Sequence, residues 1–307
     1  MKKVNIILLI FFSLSCSKQK KQSIVDENNH ILAERYIVYN NFPSKYVIPR
    51  DIEIWLPKQY NIVQSLPVLY MFDGESIFHG RKGWIGGQYD HGWQVDETLD
   101  SLFVAGLTPP IIVVGIFNTG IRRASEYMPA QPKKFIQARI KLADDWIKKG
   151  YNDYGITSDA FLKFIVEELK PFVDNNYKTQ KNRESTYLAG SSMGGLISAY
   201  AICEYPEIFG GAACLSTHWP ALDGVFIEYL KKNIPDPNFN KFYFDFGTLG
   251  LDSKYEPYQL IVDSIMIANG YEKNVNWVTK KFVNEDHNGD FWRKRFHHPI
   301  KFLLSNN

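Results

Sequence analysis

The chain's apolar positions follow two periods by turns, and the switching between them predicts its fold. Residues 35–41 and 47–56 read as a β-hairpin, with Asp51, Glu53 and Trp55 alternating against Ile52, Ile54 and Leu56 at a period of two. Residues 67–72 and 110–117 are unbroken apolar runs, the pattern of strands covered on both faces. Residues 95–105 read as a helix. Residues 159–175 place Phe161, Leu162, Phe164, Ile165, Val166, Leu169 and Phe172 on one helical face. Strand 185–189 and a helix ending before Pro206 follow, then strands 211–215 and 241–246, helix 258–269, strand 276–283 and a last helix near 291–304. Strands that alternate with helices predict an α/β domain with a mostly parallel, doubly wound sheet, whose sites form at the carboxyl ends of the strands. Residues 119–157 interrupt the alternation and are expected to form a cap over that edge.

The N-terminal pattern differs. Lys2 and Lys3 precede the apolar run 4–14, too short to span a bilayer, and Leu14-Ser15-Cys16 follows. This resembles a bacterial lipoprotein signal over residues 1–16, with Cys16 as the lipidated residue and Ser13 where a leucine is usual. Residues 17–34 are polar and suit a tether, leaving 35–307 as the folded domain. The expected membrane contact is the anchor alone, at the periplasmic face of the outer membrane. Cleavage would remove Lys2 and Lys3 and no acid, leaving 33 basic residues against the 33 acidic ones. A neutral chain gives no reason to expect nucleic acid as a partner. Cys203 and Cys214 sit in apolar stretches and read as free thiols. No His/Cys/Asp/Glu spacing suggests a metal, so no cofactor or metal is expected.

The chemistry concentrates at Gly190-Ser191-Ser192-Met193-Gly194, a match to G-x-S-x-G. A serine hydroxyl is a weak nucleophile until it is exposed, aimed and deprotonated by a neighbour. A strand, a glycine-flanked serine and a helix supply the first two requirements as a nucleophile elbow. The base is expected at His287, in the loop after strand 276–283. A carboxylate must fix the histidine's tautomer, and the segment 243–252 offers two. Asp252 lies in the loop past the strand, whereas Asp245 lies within it and suits a structural role. The order Ser192, Asp252, His287 is the α/β-hydrolase order. The oxyanion donors expected are the backbone N–H of Met193 and one from the loop 72–76, assigned to Glu75. Pocket candidates are Trp84, Trp93, His218 and Trp219. Arg123 is a candidate for a substrate anion, with an ion pair to Glu126 as the plainer reading.

Four segments carry a resemblance: Tyr70-Met-Phe-Asp-Gly-Glu-Ser-Ile-Phe, the stretch from Val114 through Arg123 to Glu126-Tyr127-Met-Pro, Leu188 to Gly195, and Asp286-His287-Asn with Trp292. Over roughly residues 35–305 the chain resembles the "putative esterase" family of α/β hydrolases. That family includes S-formylglutathione hydrolase (esterase D), enterochelin esterases, and feruloyl and acetylxylan esterases. The resemblance implies Ser192 as nucleophile, His287 as base and an acid just after Gly247-Thr248. It implies a serine carboxylic-ester hydrolase acting on acylated glycans, hydroxycinnamoyl esters or siderophore-type esters. The lipoprotein-like start argues against formylglutathione as substrate. The alternatives are a non-catalytic glycan-binding lipoprotein on the same fold, and a peptidase or acyltransferase using the same three residues.

Overall fold

A computed structural model describes residues 35–78 and 92–305. Eight strands form one sheet in the order β1-β2-β4-β3-β5-β6-β7-β8. These are β1 (Tyr36–Phe42), β2 (Arg50–Trp55), β3 (Val68–Phe72), β4 (Ile112–Ile116), β5 (Thr186–Ser191), β6 (Gly211–Leu215), β7 (Lys241–Gly247) and β8 (Trp277–Phe282). The pairs β1–β2 and β2–β4 are antiparallel, and every other pair is parallel. The α/β reading therefore holds, hairpin edge included. β3, β4, β5 and β6 are buried at every position, which explains their lack of alternation: helices cover both faces.

The helices are α1 (Val95–Val104), α2 (Arg123–Tyr127), α3 (Lys133–Arg139), α4 (Asp145–Tyr154), α5 (Ser158–Lys163), α6 (Lys170–Asn176), α7 (Met193–Glu204), α8 (Val225–Asn233), α9 (Glu256–Ala268), α10 (Gly289–Arg295) and α11 (His297–Leu304). A π-helical turn, Phe164–Leu169, joins α5 to α6 and turns Phe164, Ile165 and Leu169 into the core. Two expectations are corrected. The single terminal helix is two, α10 and α11, meeting at Phe296. α8, absent from the sequence reading, follows Gly224 at φ 70° and buries Val225, Phe226, Ile227 and Leu230. Segment 119–157 is largely helical and includes α2 to α4. One core layer contains Phe161, Leu188, Ile197 and Phe244; the other contains Leu69, Val113, Ala213, Trp292 and Ile300. Among the described residues no helix is long and apolar enough to cross a membrane.

Candidate active site

β5 delivers Ser192 to the carboxyl edge of the sheet, and the backbone turns sharply there. Ser192 has φ 58° and ψ −122°, a conformation L-residues avoid and functional sites retain. Its N–H donates to the Leu215 carbonyl at 2.9 Å, and its carbonyl accepts from Gly195 and His218. The tightness of the turn explains Gly190: a Cβ there would lie 2.5 Å from the Gly194 carbonyl oxygen. Met193 opens α7, so its N–H has no partner within the helix and sits at the positive end of the helix dipole.

His287 lies in the loop after β8. Its Nδ1 is 2.6 Å from Asp252 Oδ1. Asp252 sits in a 3₁₀ turn, Gly250–Lys254, after β7. Its Oδ2 accepts from the Gly247 N–H at 2.6 Å and from the Ser216 hydroxyl at 2.6 Å. Burial alone would raise this carboxyl, but the hydrogen bond and charge of His287, then the bonds from Ser216 and Gly247, hold it below the ordinary carboxylate value. The two loops are zipped together, with Thr248 and Leu249 N–H donating to the Glu285 carbonyl. Gly247 is required there, since a Cβ would meet the Glu285 carbonyl oxygen at 2.1 Å.

Asp245 lies buried in a hydrogen-bond network behind Asp252. It accepts from the Ser216 N–H at 3.1 Å, from Arg295 Nη2 at 3.0 Å and from the Tyr243 hydroxyl at 3.1 Å. Arg295, on α10, also donates to the Ser216 hydroxyl oxygen and to Glu285, and its Nη2 stands 3.8 Å from Asp252. Trp292 donates its indole N–H to the same Ser216 oxygen at 3.0 Å and meets the His287 ring edge to face at 4.9 Å. Ser216 and Arg295 were missed in the sequence reading. A serine directly after β6 and a basic residue one helical turn past Trp292 are weak signals without the fold.

Several expected pocket residues prove to be packing residues. Trp93 is 5% exposed and packs on Trp292 and Phe296. Trp219 is 2% exposed, donates its indole N–H to Gln259 and stacks on Phe226. Both fill the core because a buried indole adds a large apolar contact, and at Trp219 the N–H finds a partner as well. Arg123 is also buried and makes a two-point ion pair with Asp73 at 2.6 and 2.7 Å. Its expected partner Glu126 binds Arg50 instead. The Nε–Nη2 edge of Arg123 is thus taken by Asp73 rather than by a substrate anion. Trp84 and Cys16 lie outside the described residues. His218 does reach the site: it is buried, and its Nδ1 is 2.7 Å from the Tyr255 hydroxyl. Segment 119–157 approaches the same edge. Arg139 donates to the Asp223 carbonyl at 2.9 Å, and the charge of Asp144 acts on Tyr255.

Glu75 follows β3, and its carboxylate accepts from the Asn118 N–H and amide and from its own N–H. Burial, then the charge of Asp73, pushes this carboxyl up to about 7 against the pull of those bonds and of Arg123. The folded state therefore holds a proton that the unfolded chain releases near 4.5, so Glu75 erodes stability as pH rises from 4.5 to 7. Glu75→Gln removes that slope. By differential scanning fluorimetry it is expected to gain about 3 kcal/mol over wild type between pH 4.5 and pH 8. A difference that is flat with pH would contradict this assignment.

Among the described residues no cluster of three or more His, Cys, Asp or Glu side chains could hold a metal ion. Cys203 and Cys214 are free thiols, as expected. The chain resembles proteins of known family. An endo-1,4-β-xylanase/feruloyl esterase of Xylanibacter ruminicola is 25% identical over 200 residues, covering 62% of this chain and 21% of that protein. Ferri-bacillibactin esterase BesA of Bacillus subtilis is 28% identical over 157 residues, covering 50% of this chain and 48% of its own length. The chain thus spans half or less of these two curated relatives. The crystal structure of an IroE-like serine hydrolase from Shewanella oneidensis superposes with a TM-score of 0.66 at 20% identity, covering 88% of this chain and 80% of that one. The family model described as "Putative esterase" matches residues 48–285. With that match across most of the folded domain, the chain belongs to the "Putative esterase" family.

Proposed function

We propose that this chain hydrolyses carboxylic esters through an acyl-enzyme on Ser192. The observation that carries the reading is the strained elbow at Ser192 beside the 2.6 Å contact of His287 Nδ1 with Asp252. A carboxylate on Nδ1 keeps the proton there and leaves Nε2 free as a base. Ser192 Oγ attacks the ester carbonyl carbon while its proton passes to Nε2 of His287. The carbonyl oxygen takes the negative charge and is held by the Met193 N–H, with a second donor from the loop 72–76 other than the Glu75 N–H, which its own carboxylate takes up. Collapse breaks the carbon–alkoxide bond, and the alcohol leaves with the proton from His287. Water then gives its proton to His287 and attacks the acyl-enzyme, releasing the acid and restoring Ser192.

The relatives suggest the substrates to try: hydroxycinnamoyl esters of glycans and siderophore-type esters. Segment 119–157, which approaches the carboxyl edge of the sheet, is the part of the chain we propose contacts them. The test is labelling by a fluorophosphonate, with a panel of feruloyl, acetyl-xylan and catecholate-lactone esters. Label on wild type that is lost in Ser192→Ala supports the reading, and equal labelling of both refutes it. The chemistry of residues 1–16 favours a lipid anchor at Cys16 on the periplasmic face of the outer membrane. Incorporation of labelled fatty acid that persists in Cys16→Ala would refute that anchor.

A further inference from the structure

Tyr255 stands between the nucleophile and both histidines of the site. Its ring meets the His287 ring edge to face at 5.6 Å and 78°. Its hydroxyl lies 2.7 Å from Nδ1 of His218, and the Ser192 side chain is near enough to act on the phenol. The side chain is fully buried, three residues beyond Asp252, where the 3₁₀ turn runs into α9. His218 is tied back to the elbow, since its N–H donates to the Ser192 carbonyl at 3.1 Å. Burial, then the nearby charges of His287 and Arg123, keeps the His218 imidazole neutral, pushing it down to about 3. The hydrolytic steps above use neither residue.

The direction of the hydrogen bonds follows from the donors present. Tyr255 has one proton and two neighbours. A neutral imidazole nitrogen accepts more strongly than a hydroxyl, so the phenol proton goes to His218 Nδ1. The phenol oxygen is then left to accept from the Ser192 hydroxyl. We propose that Tyr255, oriented by His218, is a positioning residue for the nucleophile, fixing the rotamer in which Ser192 Oγ faces both His287 and the ester carbon. Turning the Ser192 O–H bond moves the proton from Tyr255 to His287 without moving Oγ. Attack then starts from an oxygen already in place. This rests on the esterase reading.

The experiment compares Tyr255→Phe, His218→Phe, His218→Gln and the double Tyr255→Phe/His218→Phe variant. Three quantities are read: the second-order rate of fluorophosphonate labelling, kcat and KM on p-nitrophenyl acetate, and Tm. Each Phe variant is expected to slow labelling and lower kcat about tenfold, the loss of one neutral hydrogen bond, with KM within about twofold. The double variant is no slower than either single one, because both break the same chain. His218→Gln keeps an acceptor for the phenol and recovers most of the rate. Three results overturn the proposal: wild-type rates in folded Tyr255→Phe, losses that multiply in the double variant, or His218→Gln as slow as His218→Phe. Should a Phe variant fail to fold, His218→Gln decides alone, because near-wild-type rates support the proposal and a tenfold loss at wild-type Tm overturns it. A wild-type protein that fluorophosphonate does not label refutes the esterase reading itself. One that is labelled, with the expected variant pattern missing, refutes only the role of Tyr255.

Discussion

Replacing Ser192 with alanine is expected to lower kcat on a short p-nitrophenyl ester by about 10⁴-fold or more, with Tm within about 2 °C of wild type. The size follows from the work assigned to one atom. Without Oγ no acyl-enzyme forms, and the His287–Asp252 pair can only activate water that nothing holds against the carbonyl. What survives is binding and oxyanion stabilisation, which still accelerate the reaction over water alone. The fold has little to lose. Ser192 is 8% exposed, and the strained φ of 58° is imposed by the backbone bonds to Leu215, Gly195 and His218, which alanine keeps. Steady-state kinetics with active-site titration checks the rate, and scanning fluorimetry checks the fold. Turnover within tenfold of wild type would move the nucleophile elsewhere.

The second large effect separates two aspartates seven residues apart. Asp252→Asn keeps the shape of the side chain but replaces the acceptor facing His287 Nδ1. An amide that presents its NH₂ there favours the opposite tautomer and removes the base from Nε2. A loss of about 10³- to 10⁴-fold in kcat is expected. Asp245→Asn should act on stability instead. Asp245 sits in the network of Arg295, Ser216 and Tyr243 behind the acid, and neutralising it leaves a buried guanidinium short of a counter-charge. Its expected signature is a lower urea midpoint with kcat within about tenfold of wild type. The reverse pattern, a kinetic loss at Asp245 and a stability loss at Asp252, would exchange their roles.

That contrast shows where sequence reading runs out. Asp245 and Asp252 share one segment of the chain, and both are at most 1% exposed. Their difference arises from the pairing of β7. Asp245 lies opposite Leu215 of β6 and Lys280 of β8, and its carboxylate meets Arg295 behind the strand ends. Asp252 reaches the histidine only because a 3₁₀ turn folds back over Gly247. Arg123 teaches the same lesson. A partner three residues away looks natural on paper, but a buried guanidinium needs a two-point carboxylate. Asp73, fifty residues earlier, supplies it. Trp93 and Trp219 resemble pocket aromatics because they stand beside glycines or strand ends. Their burial depends on α10 and α9, which the local pattern does not mention.

What the chain determines by itself is local. Strand, glycine-flanked serine and helix in succession specify an elbow, because only that backbone brings Gly194 within 2.5 Å of where a Cβ on residue 190 would stand. A histidine just past the last strand is placed by the rule that parallel sheets open their sites at carboxyl ends. The long-range contacts were decided by the tertiary structure: the approach of Asp252 rather than Asp245 to His287, the Ser216–Arg295 brace behind it, and Tyr255 beside His218 and His287. These pairs lie tens of residues apart, and their distances depend on strand register and loop closure, which no periodicity along the chain encodes.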